Sequence, residues 1–171
     1  MNDTICFRNI GQLVQVDATS QPPRLKISDG RALIVKNGRV EKVLKGSGLK
    51  SSNYSKVIDL KGKTVIPGLV DCHTHLIYAG ERKSEMECRL SGSSYLDILQ
   101  SGGGILNTVN ATREADEKSL LKTAKARMRR MVALGTTAFE IKSGYGLDLD
   151  TEKKILSVGS RLKKELSVPV T

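Results

Sequence analysis

The 171-residue sequence has no tryptophan, two phenylalanines and four tyrosines. So few aromatic rings exclude the stacking platform on which many single-stranded nucleic-acid binders hold their bases. Long apolar runs are also missing: none approaches the ~20 residues of a membrane-spanning helix. The first residues lack the basic and apolar regions of a secretory signal. We therefore expect a soluble cytoplasmic protein with no membrane partner.

Cysteine is scarce as well. The three cysteines are odd in number and widely separated, at Cys6, Cys72 and Cys88. This pattern excludes a dense disulfide framework and a zinc ribbon, and it favours reduced thiols in the cytoplasm.

The chain has an excess of positive charge, with a formal net charge of +10 at pH 7. Six basic residues crowd one predicted helix: Lys118, Lys122, Lys125, Arg127, Arg129 and Arg130. A nucleic-acid partner is one interpretation. The cations alternate with apolar positions, however, as on the solvated face of an amphipathic helix. We expect no nucleic-acid partner.

Both histidines lie in one short run, from Val65 to Leu76. His73 and His75 are two residues apart, so on a β-strand they leave the same face with Cα atoms about 7 Å apart. Two imidazoles at that spacing can bind one zinc or ferrous ion. The alternative is a partly buried strand end whose histidines hydrogen-bond to the backbone. We favour the metal site.

The surroundings of these histidines resemble a known signature. With Pro67-Gly68 before the strand and Asp71 two residues before His73, the run resembles the amidohydrolase superfamily. Further blocks narrow the resemblance to its imidazolonepropionase family, from about Lys61 to Thr171. These blocks begin at Ala79, Arg89, Gly102, Thr108 and Glu140, and the most specific is Lys142-Ser143-Gly144-Tyr145-Gly146-Leu147.

The resemblance implies a site and a reaction. His73 and His75 would bind one divalent metal ion, Zn²⁺ or Fe²⁺, and Arg82, Tyr95 and Tyr145 would contact the substrate. The implied reaction opens the cyclic amide of 4-imidazolone-5-propanoate to N-formimidoyl-L-glutamate in histidine degradation. From sequence alone, Arg82 could instead be a solvated loop charge and Tyr95 a helix-packing residue. No catalytic residue is identified.

Glu140 and Lys142 alternate with Ile141, which puts both side chains on one strand face. We interpret them as a structural ion pair rather than as metal ligands or catalytic groups.

The fold class that the resemblance implies is α/β. Residues 65–171 would be the opening βα units of a (β/α)8 metal-dependent hydrolase barrel, and residues 1–64 a small β-rich lobe, half of a composite β-sandwich. A complete barrel takes about 250 residues. We therefore expect a truncated chain that lacks the later metal ligands, a histidine and an aspartate, and that is inactive alone.

Local patterns predict the secondary structure. Thr4–Val16 is β-rich, and residues 32–35 and 39–44 form a hairpin across Asn37-Gly38, a favoured type I′ dipeptide. Residues 45–55 form a loop. The remaining predictions are strands over 57–60, 64–66, 136–141 and from 168, and helices over 94–100, 116–134 and 150–166. Gly102 is expected to cap the first of these helices, and Asp116 and Gly135 are expected to be the N-cap and the C-cap of the second.

Two other functions stay open. A truncated, non-catalytic product could bind a partner, for example a full-length subunit, and another cyclic amidohydrolase is the alternative among enzymes. The sequence does not decide the oligomeric state.

Overall fold

The computed structural model describes residues 4–46, 49, 54–165 and 169–171. The chain divides into two compact units, Met1–Pro67 and Gly68–Thr171. Within the described residues, no helix combines the length and the apolar character needed to cross a membrane.

The first unit is a four-stranded sheet with the strand order β3-β2-β1-β4. Its strands are β1 (Thr4–Asp17), β2 (Arg24–Lys36), β3 (Arg39–Lys45) and β4 (Lys56–Asp59). Strands β1, β2 and β3 are antiparallel, whereas β4 runs parallel to β1. The alternation of apolar residues buries one set of side chains, namely Cys6, Ile10, Leu13, Ala32 and Ile34.

The predicted hairpin is confirmed. Lys36 pairs with Arg39 across the turn, and both turn residues have positive φ, 50° at Asn37 and 74° at Gly38. A two-residue type I′ turn requires this conformation at both positions, and asparagine and glycine adopt it at low cost.

The segment after β4 differs from its prediction. Instead of a strand over 64–66, only Val65 joins the sheet, as a single parallel bridge to Leu13. A turn with positive φ at Lys61 and Gly62 precedes it and limits the length of the pairing. Of the predicted loop over 45–55, residues 47, 48 and 50–53 lie outside the described part.

Gly11 packs directly on this turn. Its backbone N–H donates to the Lys63 carbonyl over 3.0 Å, and an added Cβ would lie 2.8 Å from the carbonyl carbon of Gly62.

Gly11→Ala is therefore expected to destabilise the first unit by about 1–3 kcal/mol, because a methyl group would be forced against backbone that cannot move freely. Urea unfolding followed by circular dichroism measures the loss. Gln12→Ala, at an exposed neighbouring position, is the control. Equal stability of the two variants would contradict the prediction.

The second unit has the α/β pattern. Its elements are β5 (Leu69–Thr74), α1 (Lys83–Leu90), α2 (Tyr95–Gln100), α3 (Ile105–Glu114), α4 (Glu117–Ala133), β6 (Thr136–Ile141) and α5 (Leu149–Glu165). Strands β5 and β6 are parallel, and Val170 forms a parallel bridge to Phe139 on the other side of β6. Three extended segments therefore run in one direction, joined by helices. Val168, where a further strand was predicted to begin, lies outside the described residues.

Helices α4 and α5 supply most of the core. Helix α4 buries Leu120, Leu121, Ala124 and Met128, and α5 buries Ile155, Val158 and Leu162. Their spacing of three to four residues places them on one side of each helix. The parallel strands contribute Phe139 to the same cluster.

Helix ends follow the sequence signals to within a residue or two. The Asp116 side chain accepts a hydrogen bond from the Ser119 backbone N–H, as predicted for an N-cap. At the other end Leu134 is the C-cap, and Gly135, predicted as the cap, follows it with φ 104°. The C-cap of helix α2 is likewise Ser101, one residue before the predicted Gly102.

Candidate functional site

The two histidines lie where β5 ends. His73 is in the strand, but the strand ends at Thr74 and His75 follows it. Their ring centroids are 5.2 Å apart at an interplanar angle of 67°. The sequence pattern predicted that both histidines lie on the strand. In the structure only His73 does, and the two rings meet at the end of β5, where the pairing with β6 is irregular.

The His75 ring is held on two sides. Its centroid lies 5.4 Å from that of Tyr145, in an edge contact. Gly144 packs so closely that an added Cβ would be 3.0 Å from Cε1 of His75. Nδ1 of His75 is buried and has no hydrogen-bond partner among the described residues. A buried imidazole nitrogen without a partner is unfavourable, so this ring has capacity for a further interaction.

Tyr145 lies on the loop that follows β6, and hydrogen bonds fix this loop from both sides. The Glu152 carboxylate accepts from the backbone N–H groups of Gly146 and Leu147, over 2.8 and 2.9 Å. Nε of Arg113 donates to the Gly146 carbonyl over 2.8 Å. Tyr145 is thereby presented by a loop with little freedom to move.

Glu152 makes this loop sensitive to acid. Burial acts to raise the pKa of its carboxyl, but hydrogen bonds from the Leu147 backbone, the Ser143 hydroxyl and the Gly146 backbone outweigh it, and the pKa lies below its usual value of 4.5. The unfolded chain therefore binds a proton at a higher pH than the folded chain does. The contribution of Glu152 to stability is complete above about pH 4.5 and is lost as the pH falls through the lowered pKa.

Glu152→Gln is expected to lower the free energy of unfolding at neutral pH and to bring wild type and variant together in acid. Urea unfolding at a series of pH values measures this difference. Glu114→Gln, at the exposed end of α3, is the control. A pH-independent gap between wild type and Glu152→Gln would refute the assignment.

A cavity of about 400 Å³ is lined in part by Tyr145, whose ring contacts His75. It is lined by Tyr78, Gly80, Glu81, Arg82, Lys83, Met86, Thr108, Arg127 and Tyr145. Two of the predicted substrate contacts, Arg82 and Tyr145, are therefore brought together. Arg82 is the N-cap residue of α1, with Nε 3.9 Å from the Glu85 carboxylate and a side chain that is 42% exposed. Its guanidinium remains accessible to an anion.

Tyr95 does not line this cavity. It is the first residue of α2 and is 52% exposed, with the Arg89 guanidinium 6.0 Å from its ring centroid. Its predicted contact with substrate stays a prediction.

Glu140 and Lys142 form an ion pair at the end of β6. The Lys142 backbone N–H also donates to the Thr74 carbonyl over 2.9 Å, which joins the ends of the two strands. Within the described ranges, no group of three or more histidine, cysteine, aspartate or glutamate side chains is arranged to hold a metal ion.

Sequence reasoning missed several residues around the site: Tyr78, Arg113, Arg127, Gly144 in its role against His75, and Glu152. For Arg127 a signal existed. It lies three residues after Ala124 and seven after Leu120, so helical periodicity places it at the margin of the buried face of α4. Its long hydrophilic side chain suggested a solvated position instead.

The comparisons with known proteins bear on this geometry. A model of the amidohydrolase family matches residues 56–132. An imidazolonepropionase from Hahella chejuensis is 46% identical over 142 residues, which is 83% of this chain. Another, from Salmonella paratyphi A, is 43% identical over 169 residues, which is 99% of this chain. The chain is therefore similar to the amidohydrolase family over residues 56–132 and to imidazolonepropionases over most of its length.

Solved structures share the fold of this chain. A solved atrazine chlorohydrolase from Arthrobacter aurescens TC1, complexed with zinc, superimposes with a TM-score of 0.61 at 15% identity and covers 97% of this chain. That match takes in 34% of the chlorohydrolase. The two imidazolonepropionases are likewise covered over 35% and 40% of their length, so this chain spans about two fifths of the relatives it matches.

Proposed function

We propose that the protein carrying this chain is an imidazolonepropionase. It hydrolyses the cyclic amide of 4-imidazolone-5-propanoate, giving N-formimidoyl-L-glutamate in histidine degradation. The observation that carries the proposal is that the rings of His73 and His75 lie together and that His75 contacts Tyr145, which lines a cavity with Arg82. Identity of 43–46% to imidazolonepropionases over most of the chain supports it.

His73 and His75 would hold one divalent metal ion, Zn²⁺ or Fe²⁺. Imidazole nitrogen suits both ions, and the buried, unpartnered Nδ1 of His75 leaves that ring with unused bonding capacity. When bound, such an ion activates water and polarises a carbonyl group as a Lewis acid. Because hydrolytic sites typically use about three protein ligands, the proposal requires at least one ligand in addition to these two histidines.

The chain's own residues would bind and orient the substrate. Arg82 presents a planar cation that matches the propionate carboxylate, and the Tyr145 phenol can hydrogen-bond to the ring or the acid. The Glu152 and Arg113 contacts keep Tyr145 in place, so less conformational entropy is lost on binding. Tyr95 remains a proposed substrate contact. Because it does not line the cavity, either the substrate would have to extend beyond the cavity or α2 would have to move toward it.

The proposal includes the larger architecture. The parallel strands β5 and β6, with Val170 beside β6, would be the first strands of a (β/α)8 barrel over residues 65–171. The four-stranded sheet would be one half of a composite β-sandwich over residues 1–64. The free thiols of Cys6, Cys72 and Cys88 support a cytoplasmic location.

The test is an assay of the gene product, expressed from its own start codon to its own stop codon and supplied with Zn²⁺ or Fe²⁺. We expect conversion of 4-imidazolone-5-propanoate to N-formimidoyl-L-glutamate, detected by mass spectrometry and abolished by a chelator. Hydrolysis of a different cyclic amide, such as a hydantoin, without this conversion would make the protein another cyclic amidohydrolase. No hydrolysis, together with binding to a full-length subunit, would make it a non-catalytic product.

A further inference from the structure

Arg127 occupies an unusual place for a residue of a strongly basic helix. The basic residues Lys118, Lys122, Arg129 and Arg130 of α4 are exposed, but Arg127 is half-buried and turns toward the end of β5. Its Nη1 donates to two backbone carbonyls, that of Leu76 over 3.1 Å and that of Tyr78 over 2.8 Å.

These two carbonyls need a partner. Strand β5 ends at Thr74, so the residues that follow have left the ladder, while the side chains of Leu76 and Ile77 are 3% and 1% exposed. Backbone carbonyls beside a buried segment are costly when they are unpaired. Arg127 therefore fixes the path of the chain immediately after His75.

The same guanidinium covers the Tyr78 ring. Cζ of Arg127 lies 3.6 Å from the ring centroid, well within the range of a cation–π interaction. Tyr78 also contacts Tyr145, with ring centroids 5.4 Å apart, and Tyr145 in turn makes an edge contact with His75 at 5.4 Å. An unbroken series of contacts leads from Arg127 through Tyr78 and Tyr145 to the histidine.

The ion pairs around the cavity do not include the Arg127 guanidinium within the described residues. Within the described residues, no carboxylate lies within 4 Å of the Arg127 guanidinium, whereas the neighbouring cavity cation Lys83 pairs with Glu81 at 2.6 Å. Arg127 is thus held by carbonyls and a ring. The Glu81 carboxyl, whose pKa is lowered first by its hydrogen bond from Lys83, also interacts with the charge of Arg127 at longer range.

We propose that Arg127 is a positioning residue that acts through Tyr78 to fix the orientation of Tyr145 and His75. Only the functional significance of this role rests on the proposed function. The contacts themselves can be tested without metal, substrate or activity.

The test uses nuclear magnetic resonance of the 171-residue chain. Because His73 and His75 are its only histidines, the imidazole region contains two Cε1–H signals, which His73→Gln assigns. Because its ring makes an edge contact with Tyr145, the His75 signal is expected to be displaced from that of a free imidazole. Arg127→Met is expected to move the His75 signal toward the free position, and Arg127→Lys to restore it in part, because lysine can bond the carbonyls but lacks the planar group.

Variants at Tyr78 separate positioning from general stability. Tyr78→Phe keeps the ring and is expected to leave the His75 signal in place, whereas Tyr78→Leu removes the ring and is expected to shift it as Arg127→Met does. The double variant is expected to shift it no further than either single one. Arg130→Met, at an exposed position of the same helix, is the control and is expected to leave it unchanged.

Two results would overturn the proposal: an unchanged His75 signal in folded Arg127→Met, or an equal shift in Tyr78→Phe and Tyr78→Leu. Circular dichroism establishes that each variant is folded. If Arg127→Met does not fold, the Tyr78 pair decides the question alone. Failure of the gene product to hydrolyse imidazolone propanoate would leave these signals unaffected, so the two proposals fail separately.

Discussion

Replacing either His73 or His75 by alanine is expected to abolish metal retention by the gene product and to lower its hydrolytic rate by more than about 100-fold. Loss of a residue that only supports a metal ligand already costs 10- to 100-fold, so loss of a ligand costs more. Metal content after dialysis, measured by mass spectrometry, and the rate of imidazolone propanoate hydrolysis test the two parts of this expectation.

Cys72→Ala is the matched control, because Cys72 lies on the same strand beside His73 and its thiol is exposed and free. We expect this variant to retain both metal and activity. Full metal content in His75→Ala, or loss of metal in Cys72→Ala, would show that the ligand set is different from the proposed one.

Leu162→Ala is expected to destabilise the second unit by about 2–5 kcal/mol. The Leu162 side chain is fully buried between α4, α5 and the strands, and truncation there removes apolar contact and leaves a cavity in a close-packed core. Urea unfolding followed by far-ultraviolet circular dichroism measures the loss. Circular dichroism suits this chain since it has no tryptophan for fluorescence.

Leu156→Ala makes the same chemical change on the same helix at a position that is 56% exposed. We expect a loss of about 0.5 kcal/mol or less there, as for most surface substitutions. Equal losses in the two variants would mean that α5 does not pack as described.

Strands β1 and β6, the hairpin between β2 and β3, and the long helices could be predicted because several local signals coincide in each. For α4, the Asp116 cap, the apolar spacing and Gly135 all indicate one helix, and the structure agrees. Helices α1 and α3 were not predicted. The residue before α3 is Gly104, which offers no capping side chain, and α3 itself contains several asparagine and threonine residues, which are weak helix formers.

Tertiary contacts account for α3. Its buried face includes Thr108, Val109 and Thr112, and the Lys154 ammonium group on α5 donates to three carbonyls at its C-terminal end. Such stabilisation depends on residues about 40 positions away. A local sequence pattern therefore does not predict this stabilisation of α3.

The candidate site could be predicted only in part, because some of its contacts also depend on tertiary packing. The spacing of the histidines indicated a common face, and the resemblance singled out Arg82 and Tyr145, which line one cavity. The end of β5 before His75 and the use of Arg127 to bond the following carbonyls depend on the packing of α4 against this segment. Sequence spacing alone does not determine those contacts.

The parallel pairing of β5 with β6 also has a kinetic consequence. About 60 residues, including four helices, separate the two strands, whereas β2 and β3 are joined by two turn residues. Closing a loop costs entropy that grows with its length, and non-local pairing slows folding. We expect the antiparallel hairpin to form early and the pair that carries the histidines to assemble late, after its connecting helices have become compact.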